Sequence, residues 1–354
     1  MRKTIIFVAC VYMIMILVGD KMKEKEFSVL GAGFACLDIV KLAESDRIML
    51  GGTAANVVSF LSFLGIGSEF LLADYSGESG DWLRNSFEKR GVKCIRFSKT
   101  RSIAPRVIET FDEDTHIFFT ECPKCGRSLI KVCLPSHANC LAIDEIVEAE
   151  PNVFFFDRMS DGIRYIARKN RKGWNVYEPN SCRAYSGLFR SVMEADIIKY
   201  SESRVPERIT QRLYADLPDT DAVLLIVTLG DQGLKYAYRE TESRFSKWNY
   251  ITPLSAKSVV DSSGAGDWLT AMFLYRLLRR YPYYVKRVNG QYIDKILSES
   301  QKYALRSCRY IGAQGMLKSD EEVKQINCEL NLNLEKICDL HIDWESNCEY
   351  CYCE

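Results

Sequence analysis

The chain has 354 residues, of which 47% are hydrophobic and 27% are charged, and its formal net charge is zero. This composition suits a globular protein with a full core, in one large domain or two modest ones. The lack of a basic excess argues against nucleic-acid binding, and the lack of an acidic excess argues against a solvating tail.

The first 22 residues are the least typical part of the sequence. Residues 4–19 are almost wholly apolar, and Asp20 follows them. The run is shorter than the roughly 18–20 residues of a membrane-spanning helix, and no clear cleavage site precedes Asp20. Three interpretations stay open: a dispensable extension with Met22 as the start, a membrane anchor, or a cleaved signal. We expect no membrane contact unless residues 4–19 serve as an anchor.

From residue 27 onward, apolar strands alternate with amphipathic helices. Such alternation predicts βαβ units, hence a mostly parallel sheet with helices on both faces and ligands at the carboxyl ends of the strands. The predicted strands are 27–30, 70–73, 153–156, 174–177, 197–200 and 222–229, and the predicted helices are 57–65, 80–90, 143–150, 161–170, 188–194, 268–278 and 303–316.

A hairpin is predicted outside this alternation. Residues 106–110 and 116–119 are both rich in β-branched and aromatic side chains and flank a polar turn. We therefore expect a second, smaller sheet beside the main core.

The turn before residue 268 carries the strongest chemical signal. Gly264 and Gly266 let the backbone approach a ligand, and the helix that follows presents free N–H groups and a positive dipole end to an anion. Asp267 is placed to accept a proton from a hydroxyl while the amides hold a phosphoryl group. The alternative is a glycine turn that caps a helix, with Asp267 as a capping acid.

Five motifs occur in one order along residues 27–317, and together they resemble the ribokinase-like (PfkB) family of carbohydrate kinases. They are Gly31-x-Gly33 with Asp38; Gly51-Gly52 with Asn56; Asp74 through Gly80 and then Gly91-Val92; Thr228-Leu229-Gly230 with Gly233; and Asp261 through Asp267. The resemblance implies an α/β, ribokinase-like fold with a small β-sheet lid. It implies a kinase domain over 23–318, with lid strands near 36–50 and 104–120, between an apolar extension (1–22) and a cysteine-rich tail (319–354).

The resemblance also implies a role for each motif residue. Asp267 would be the base, the amides of Gly264, Ala265 and Gly266 the anion hole, Asp38, Gly52 and Asn56 the contacts to acceptor hydroxyls, and Thr228, Gly230, Gly233 and Ser201 the nucleotide site. ATP and Mg²⁺ would be the cofactors and a small sugar or polyol the acceptor. A homodimer through the lid is a further implication.

One stretch departs from the family. Where the family commonly has Asn-x-x-Glu, associated with magnesium and phosphate, this chain has Ser201 and, three positions on, Arg204. Either Glu202 acts through water, or Arg204 neutralises phosphate directly, or metal dependence is weaker. A second departure is Trp268, directly after Asp267.

Cysteines form two Cys-x-x-Cys pairs. Cys122 and Cys125, followed by Gly126, lie in a predicted insert at 121–140, and Cys348 and Cys351 lie in the tail. The two pairs could close a four-cysteine structural zinc site, although the gap is much longer than in an ordinary zinc ribbon. The alternatives are reduced, unligated thiols or a redox pair. The scatter of the 14 cysteines favours reduced thiols and a cytoplasmic location.

The sequence therefore predicts an ATP-dependent sugar kinase that transfers the γ-phosphate to a hydroxyl of a small carbohydrate. A nucleoside or vitamin kinase of the same fold stays open, as does a non-catalytic nucleotide or sugar sensor. The acceptor and the oligomeric state are not determined by the residues.

Overall fold

The computed structural model describes residues 27–42, 46–112, 115–142, 150–182, 184–255 and 258–337. Their strands, in chain order, are β1 (Ser28–Ala32), β2 (Cys36–Val40), β3 (Arg47–Gly51), β4 (Gly67–Asp74), β5 (Val92–Lys99), β6 (Arg106–Asp112), β7 (Thr115–Phe119), β8 (Val153–Phe156), β9 (Trp174–Tyr177), β10 (Ile197–Ser201), β11 (Leu224–Thr228), β12 (Leu234–Thr241), β13 (Arg244–Phe245) and β14 (Asn249–Ile251).

Ten of these strands form the central sheet. Its order is β13-β12-β11-β10-β9-β8-β1-β4-β5, with β14 also paired to β12. Every neighbouring pair from β5 to β11 is parallel. The antiparallel pairs are those that β12 forms with β11, β13 and β14. This confirms the predicted mostly parallel sheet, and it brings the carboxyl ends of the parallel strands to one edge.

Helices cover both faces of the central sheet. All four residues of β8 and of β9 are buried, as expected for parallel strands with a layer on each side. The helices are α1 (Thr53–Phe63), α2 (Gly77–Glu88), α3 (His137–Leu141), α4 (Asp161–Lys169), α5 (Tyr185–Val192), α6 (Glu207–Asp216), α7 (Ala265–Arg280), α8 (Gly290–Ser307) and α9 (Asp320–Leu330).

The layer around α7 explains the unusual Trp268. Its side chain is fully buried and stacks on the Phe60 ring of α1 with centroids 4.1 Å apart. Phe63 meets the same indole edge-on. Trp268 is therefore a core residue that fixes α7 against α1, and it leaves the neighbouring Asp267 at the helix start.

The other four strands form the separate small sheet that the hairpin pattern predicted, which we call the lid. Its order is β3-β2-β6-β7. Asp38 and Val107 are register partners, so alternation places Asp38 and Glu109 on one face and Arg106 and Ile108 on the other. The first of these we call the inner face and the second the outer face.

The outer face of the lid is covered by the chain's own insert. Ile39 and Ile108 form one apolar cluster with Cys122 and Leu129, both of which are buried. The Arg106 N–H donates to the Leu129 carbonyl at 2.9 Å. The first part of the cysteine-rich insert, through Leu129, thus packs as part of the lid, whereas Cys140 is buried in the main core.

Near the carboxyl end, the structure corrects the sequence. The predicted helix over 303–316 is wrong in its bounds, because α8 begins at Gly290 and ends at Ser307. Residues 308–314 leave the helix, and Gly312 has a positive φ of 74° that ends helical geometry there. The tail also begins with a helix that its pattern did not indicate, α9, whose Val323 and Ile326 are buried.

Several predictions fall outside the described residues. The extension over 1–22, the helix over 143–150 and the second cysteine pair all do so, apart from Glu150, which has no helical structure. Among the helices that the structure describes, none has the length and apolarity needed to cross a membrane.

Candidate active site

The glycine turn before α7 is closed by Asp261, which lies at its start. Asp261 Oδ1 accepts from the Ser263 N–H at 2.8 Å, and Oδ2 accepts from the Gly312 N–H at 2.6 Å. Gly264 caps α7 with φ 73°, and a Cβ there would lie 2.4 Å from the Ala313 Cβ. Only glycine meets both demands, so the amides of Ala265 and Gly266 are held at the amino end of α7.

Asp267 lies in the first turn of α7 and is bonded to α1. Asn56 Nδ2 donates to Asp267 Oδ2 at 2.8 Å, and Gln314 Nε2 donates to Asn56 Oδ1 at 2.7 Å. The three side chains come from distant parts of the chain and are all buried. The structure thus brings the predicted base, Asp267, together with Asn56, which is predicted to contact acceptor hydroxyls. It adds Gln314, which the sequence analysis missed.

The environment of Asp267 suits proton transfer near neutral pH. Burial raises its pKa to about 6, and the charge of Glu178 adds to this effect. The Asn56 hydrogen bond and the positive charges of Lys199 and Arg204 act in the opposite direction. A carboxyl with a pKa near 6 is mostly ionised at pH 7 and still basic enough to accept a proton.

A buried ion pair lies under the amino end of α7. Lys199 Nζ donates to Glu178 Oε1 at 2.6 Å and to the Gly266 carbonyl at 2.9 Å. The Thr270 hydroxyl donates to Glu178 Oε2 at 2.8 Å. Both charged side chains are at most 5% exposed. The pair ties the turn of the anion hole to β10 and to the end of β9.

Asp38, which the sequence predicts to contact the acceptor, lies on the inner face of the lid. Asp38 is buried and accepts from Cys36 Sγ at 3.1 Å. A Cβ on Gly51 would lie 1.9 Å from the Asp38 carboxylate, so that glycine makes room for the acid. Burial, then the nearby Glu109, raises the pKa of Asp38 well above its usual value, and the two carboxyl groups share a hydrogen bond. Glu109 was not singled out in the sequence.

The loop before α1 is held by a buried carboxyl. Phe34 N–H donates to Asp157 Oδ1 at 2.8 Å, and Ala54 N–H donates to the same carboxylate. Gly52 precedes α1 with φ 96°, where a Cβ would lie 2.4 Å from the Phe34 carbonyl. Asp157 therefore positions Gly52 and, through α1, Asn56. It was also missed, because it follows β8 with no motif around it.

The predicted nucleotide residues meet at the carboxyl ends of two strands. Ser201 and Thr228 are register partners at the ends of β10 and β11. Gly230 and Gly233 follow Thr228 in a short 3₁₀ turn, both with positive φ. In an open parallel sheet this is the edge where ligands bind.

The stretch that departs from the family carries one carboxylate. Ser201 and Ser203 share a hydrogen bond at 2.9 Å, and Glu202 and Arg204 are exposed. Mg²⁺ commonly takes one or two carboxylates together with phosphate oxygens and water. No group of three or more potential metal-ligating side chains occurs within the part of the chain that the structure describes. Glu202 could be the one carboxylate that binds Mg²⁺ together with phosphate oxygens and water.

The first cysteine pair forms a tight turn. Cys122 is buried, Cys125 is exposed, and the Cys125 N–H donates to Cys122 Sγ at 3.4 Å. Gly126 has the positive φ of 68° that the turn needs. Since Cys348 and Cys351 lie outside the described residues, a structural zinc has no support from the geometry and stays a prediction.

Solved structures with the same architecture come from sugar and nucleoside kinases. A fructokinase from Xylella fastidiosa with bound ATP has 16% identity and a TM-score of 0.62, covering 87% of this chain and 100% of its own. An aminoimidazole riboside kinase from Salmonella enterica, complexed with aminoimidazole riboside and an ATP analogue, has 18% identity and a TM-score of 0.61, covering 86% and 99%. The chain has the ribokinase-like fold.

A ribokinase from Thermotoga maritima agrees, with 17% identity, a TM-score of 0.60 and coverage of 84% and 98%. No protein-family model and no curated protein matches the sequence. At these identities the likeness establishes the ribokinase-like fold, and the argument for activity depends on the side chains described above.

Proposed function

We propose that the protein is an ATP-dependent kinase of a small sugar or related polyol, with Asp267 as the general base. The observation that carries the proposal is the constellation around Asp267. A carboxyl with a pKa of about 6 lies in the first turn of α7, beside the glycine turn and within hydrogen-bond distance of Asn56. The similar solved structures are those of sugar and nucleoside kinases, and one of them is complexed with an ATP analogue.

The chemistry proposed is an in-line phosphoryl transfer. An acceptor hydroxyl gives its proton to Asp267 as its oxygen forms a bond to the γ-phosphorus. The bond from that phosphorus to the β,γ-bridging oxygen breaks, and ADP leaves with the electron pair. Asn56 orients the carboxylate throughout. Such transfers depend more on positioning and charge stabilisation than on covalent chemistry.

The amino end of α7 would stabilise the transferred phosphoryl group. The Gly266 N–H belongs to the first helical turn, where backbone donors lack helical partners, whereas the Ala265 N–H donates to the Ser262 carbonyl at 3.2 Å. Lys199 donates to the Gly266 carbonyl and thereby fixes the orientation of the peptide unit between Gly266 and Asp267. Mg²⁺ would bind phosphate oxygens near Glu202 and supply charge neutralisation when bound. Arg204, whose charge already acts on Asp267, would add to it.

The lid end of the site would bind the acceptor hydroxyls. Asp38 and Glu109 form a hydrogen-bonded pair of buried carboxyls, which can both donate to and accept from a polyol. Polar groups of this kind favour a sugar over an apolar vitamin ring. A nucleoside acceptor stays open, because its ribose offers the same hydroxyls.

The test is acceptor-dependent ATP consumption with Mg²⁺ across a panel of sugars, polyols and nucleosides. Turnover with one class of acceptor should fall by about 10²–10⁴-fold in Asp267→Asn, the usual contribution of a general base. Nucleotide binding, followed by calorimetry, should persist in the variant.

A matched control is Asp161→Asn, since Asp161 lies in the first turn of α4 and is exposed. This variant should keep full turnover. Full turnover in Asp267→Asn would refute the assignment of the base. Nucleotide binding without turnover for any acceptor would instead favour a non-catalytic sensor. The first explanation for the lost activity would then be Arg204, which stands where the family commonly has glutamate.

A further inference from the structure

A basic cavity lies at the base of the lid, in the angle between the β5–β6 connection and the insert. Its volume is about 290 Å³, many times the space that one water molecule needs. Its described lining residues are Arg101, Ser102, Ile103, Arg106, Arg127, Ser128, Leu129 and Lys131. The cavity is thus large enough for a small polar ligand.

The cavity is separate from the acceptor site. Arg106 lies on the outer face of the lid, because it alternates with Val107, the register partner of Asp38. Leu129, which also lines the cavity, packs in the outer-face cluster with Ile39 and Ile108. The lid sheet therefore lies between this cavity and the carboxyls of the inner face.

The chemistry of the lining selects an anion with several oxygens. Three arginines and one lysine converge on the cavity, and none of its described lining residues is acidic. Guanidinium groups stay charged at any physiological pH and bind phosphate oxygens in pairs. Ser102 and Ser128 add hydroxyl groups that can donate to the same oxygens. Arg106 is only 1% exposed, so its charge acts in a medium that screens weakly.

A ligand here would touch both the lid and the core that carries the central sheet. The Ser102 carbonyl accepts from the Ser76 N–H at 3.1 Å, which ties that side of the cavity to the start of α2 on the core. Arg106 and Leu129 belong to the lid and its insert. An anion bound between them would join the lid to the core.

We propose that this cavity binds a phosphate-type oxyanion, either inorganic phosphate or a phosphomonoester, which fixes the lid against the core. The proposal does not depend on the kinase activity proposed above. It rests on the cavity, on its four cations and on the positions of Ser102, which is bonded to the core, and Arg106, which belongs to the lid.

The experiment is calorimetric titration of the whole protein with inorganic phosphate and, separately, with glycerol phosphate, at constant ionic strength. The test variant is Arg127→Gln/Lys131→Gln, since both residues are exposed and their loss should not affect folding. The matched control is Arg168→Gln/Lys172→Gln, two exposed cations far from the cavity lining. The test variant should bind at least about tenfold more weakly, since it loses charge-assisted hydrogen bonds, and the control should not change.

Amide hydrogen exchange locates the bound anion. With phosphate, exchange should slow in β6 and in residues 100–105, and this protection should disappear in the test variant. Tighter binding of glycerol phosphate would identify an organic phosphate as the ligand, and tighter binding of inorganic phosphate would identify free phosphate. The proposal is overturned by the absence of binding at tens of millimolar phosphate. It is equally overturned if the test variant binds like the wild type, or if protection appears only around Gly264 and Asp267, which would mean that the anion hole is the site.

Discussion

The two ends of the candidate active site are built from opposite electrostatics. At the phosphate end, Glu178 is paired with Lys199, and the glycine turn rests on that pair. At the lid end, Asp38 has Glu109 and Cys36 as its close partners, and its pKa is raised. A charge-compensated end suits a ligand that brings negative charge, whereas an end where the pKa of a buried carboxyl is raised suits neutral hydroxyls. The difference explains how one pocket could bind ATP and a polyol side by side.

The largest expected effect comes from breaking the ion pair at the phosphate end. Lys199→Met should lower kcat by about 10²-fold, the scale for loss of a preorganised electrostatic contact, because the Gly266 peptide loses its support. It should also lower the free energy of unfolding by about 3–5 kcal/mol, because Glu178 is left buried and unpaired. Chemical denaturation and steady-state kinetics measure the two effects.

A double variant separates stability from catalysis. Lys199→Met/Glu178→Leu replaces both charges by apolar groups, which is often neutral for stability. It should recover most of the lost stability without recovering kcat. Recovery of both would mean that the pair is only structural.

A smaller effect is expected at the lid end. Glu109→Gln removes the acid that raises the pKa of Asp38, so Asp38 should ionise at lower pH and bind hydroxyls differently. We expect KM for the acceptor to change by about tenfold, the scale of one hydrogen bond to a charged group, with KM for ATP unchanged. Equal changes in both KM values would contradict the division into two ends.

A still smaller effect is expected from Asn56, which is hydrogen-bonded to Asp267 and Gln314. Its hydrogen bond favours the ionised form of Asp267, so Asn56→Ala should raise the pKa of Asp267. Because the ionised form is the base, the acid limb of the kcat/KM profile should move to higher pH, and turnover at pH 6 should fall a few-fold more than at pH 8. Gln314→Ala, which only frees Asn56, should shift the profile less. Profiles that superimpose after scaling would show that Asn56 does not control the base.

Much of the fold could be predicted because its signals are local. Strands β8 and β9 agree with the prediction at both ends, since each is a short apolar run that fills a buried parallel position. The glycine turn and Asp267 could be singled out in the sequence because the residues of the predicted chemistry are adjacent. The likeness to known kinases confirms the ribokinase-like fold that five spaced motifs indicated.

The missed residues share a different property. The sequence places Lys199 inside a predicted apolar strand and Glu178 directly after another, and their pairing across 21 positions exists only in the folded sheet. A lone charge inside a buried strand was the available signal. Gln314 was assigned to a helix because its neighbours are apolar, but the hydrogen bond from Gly312 to Asp261 competes with helical continuation.

The loop after α8 has a consequence for the order of events during synthesis. Residues 312–314 supply the partner of Asp261, the contact to Gly264 and the donor to Asn56. A ribosome makes these residues after every described strand of the central sheet. The glycine turn of α7 therefore lacks its last supports until residues 312–314 have been made, and a product truncated before residue 312 would carry every predicted catalytic residue without the contacts that align them.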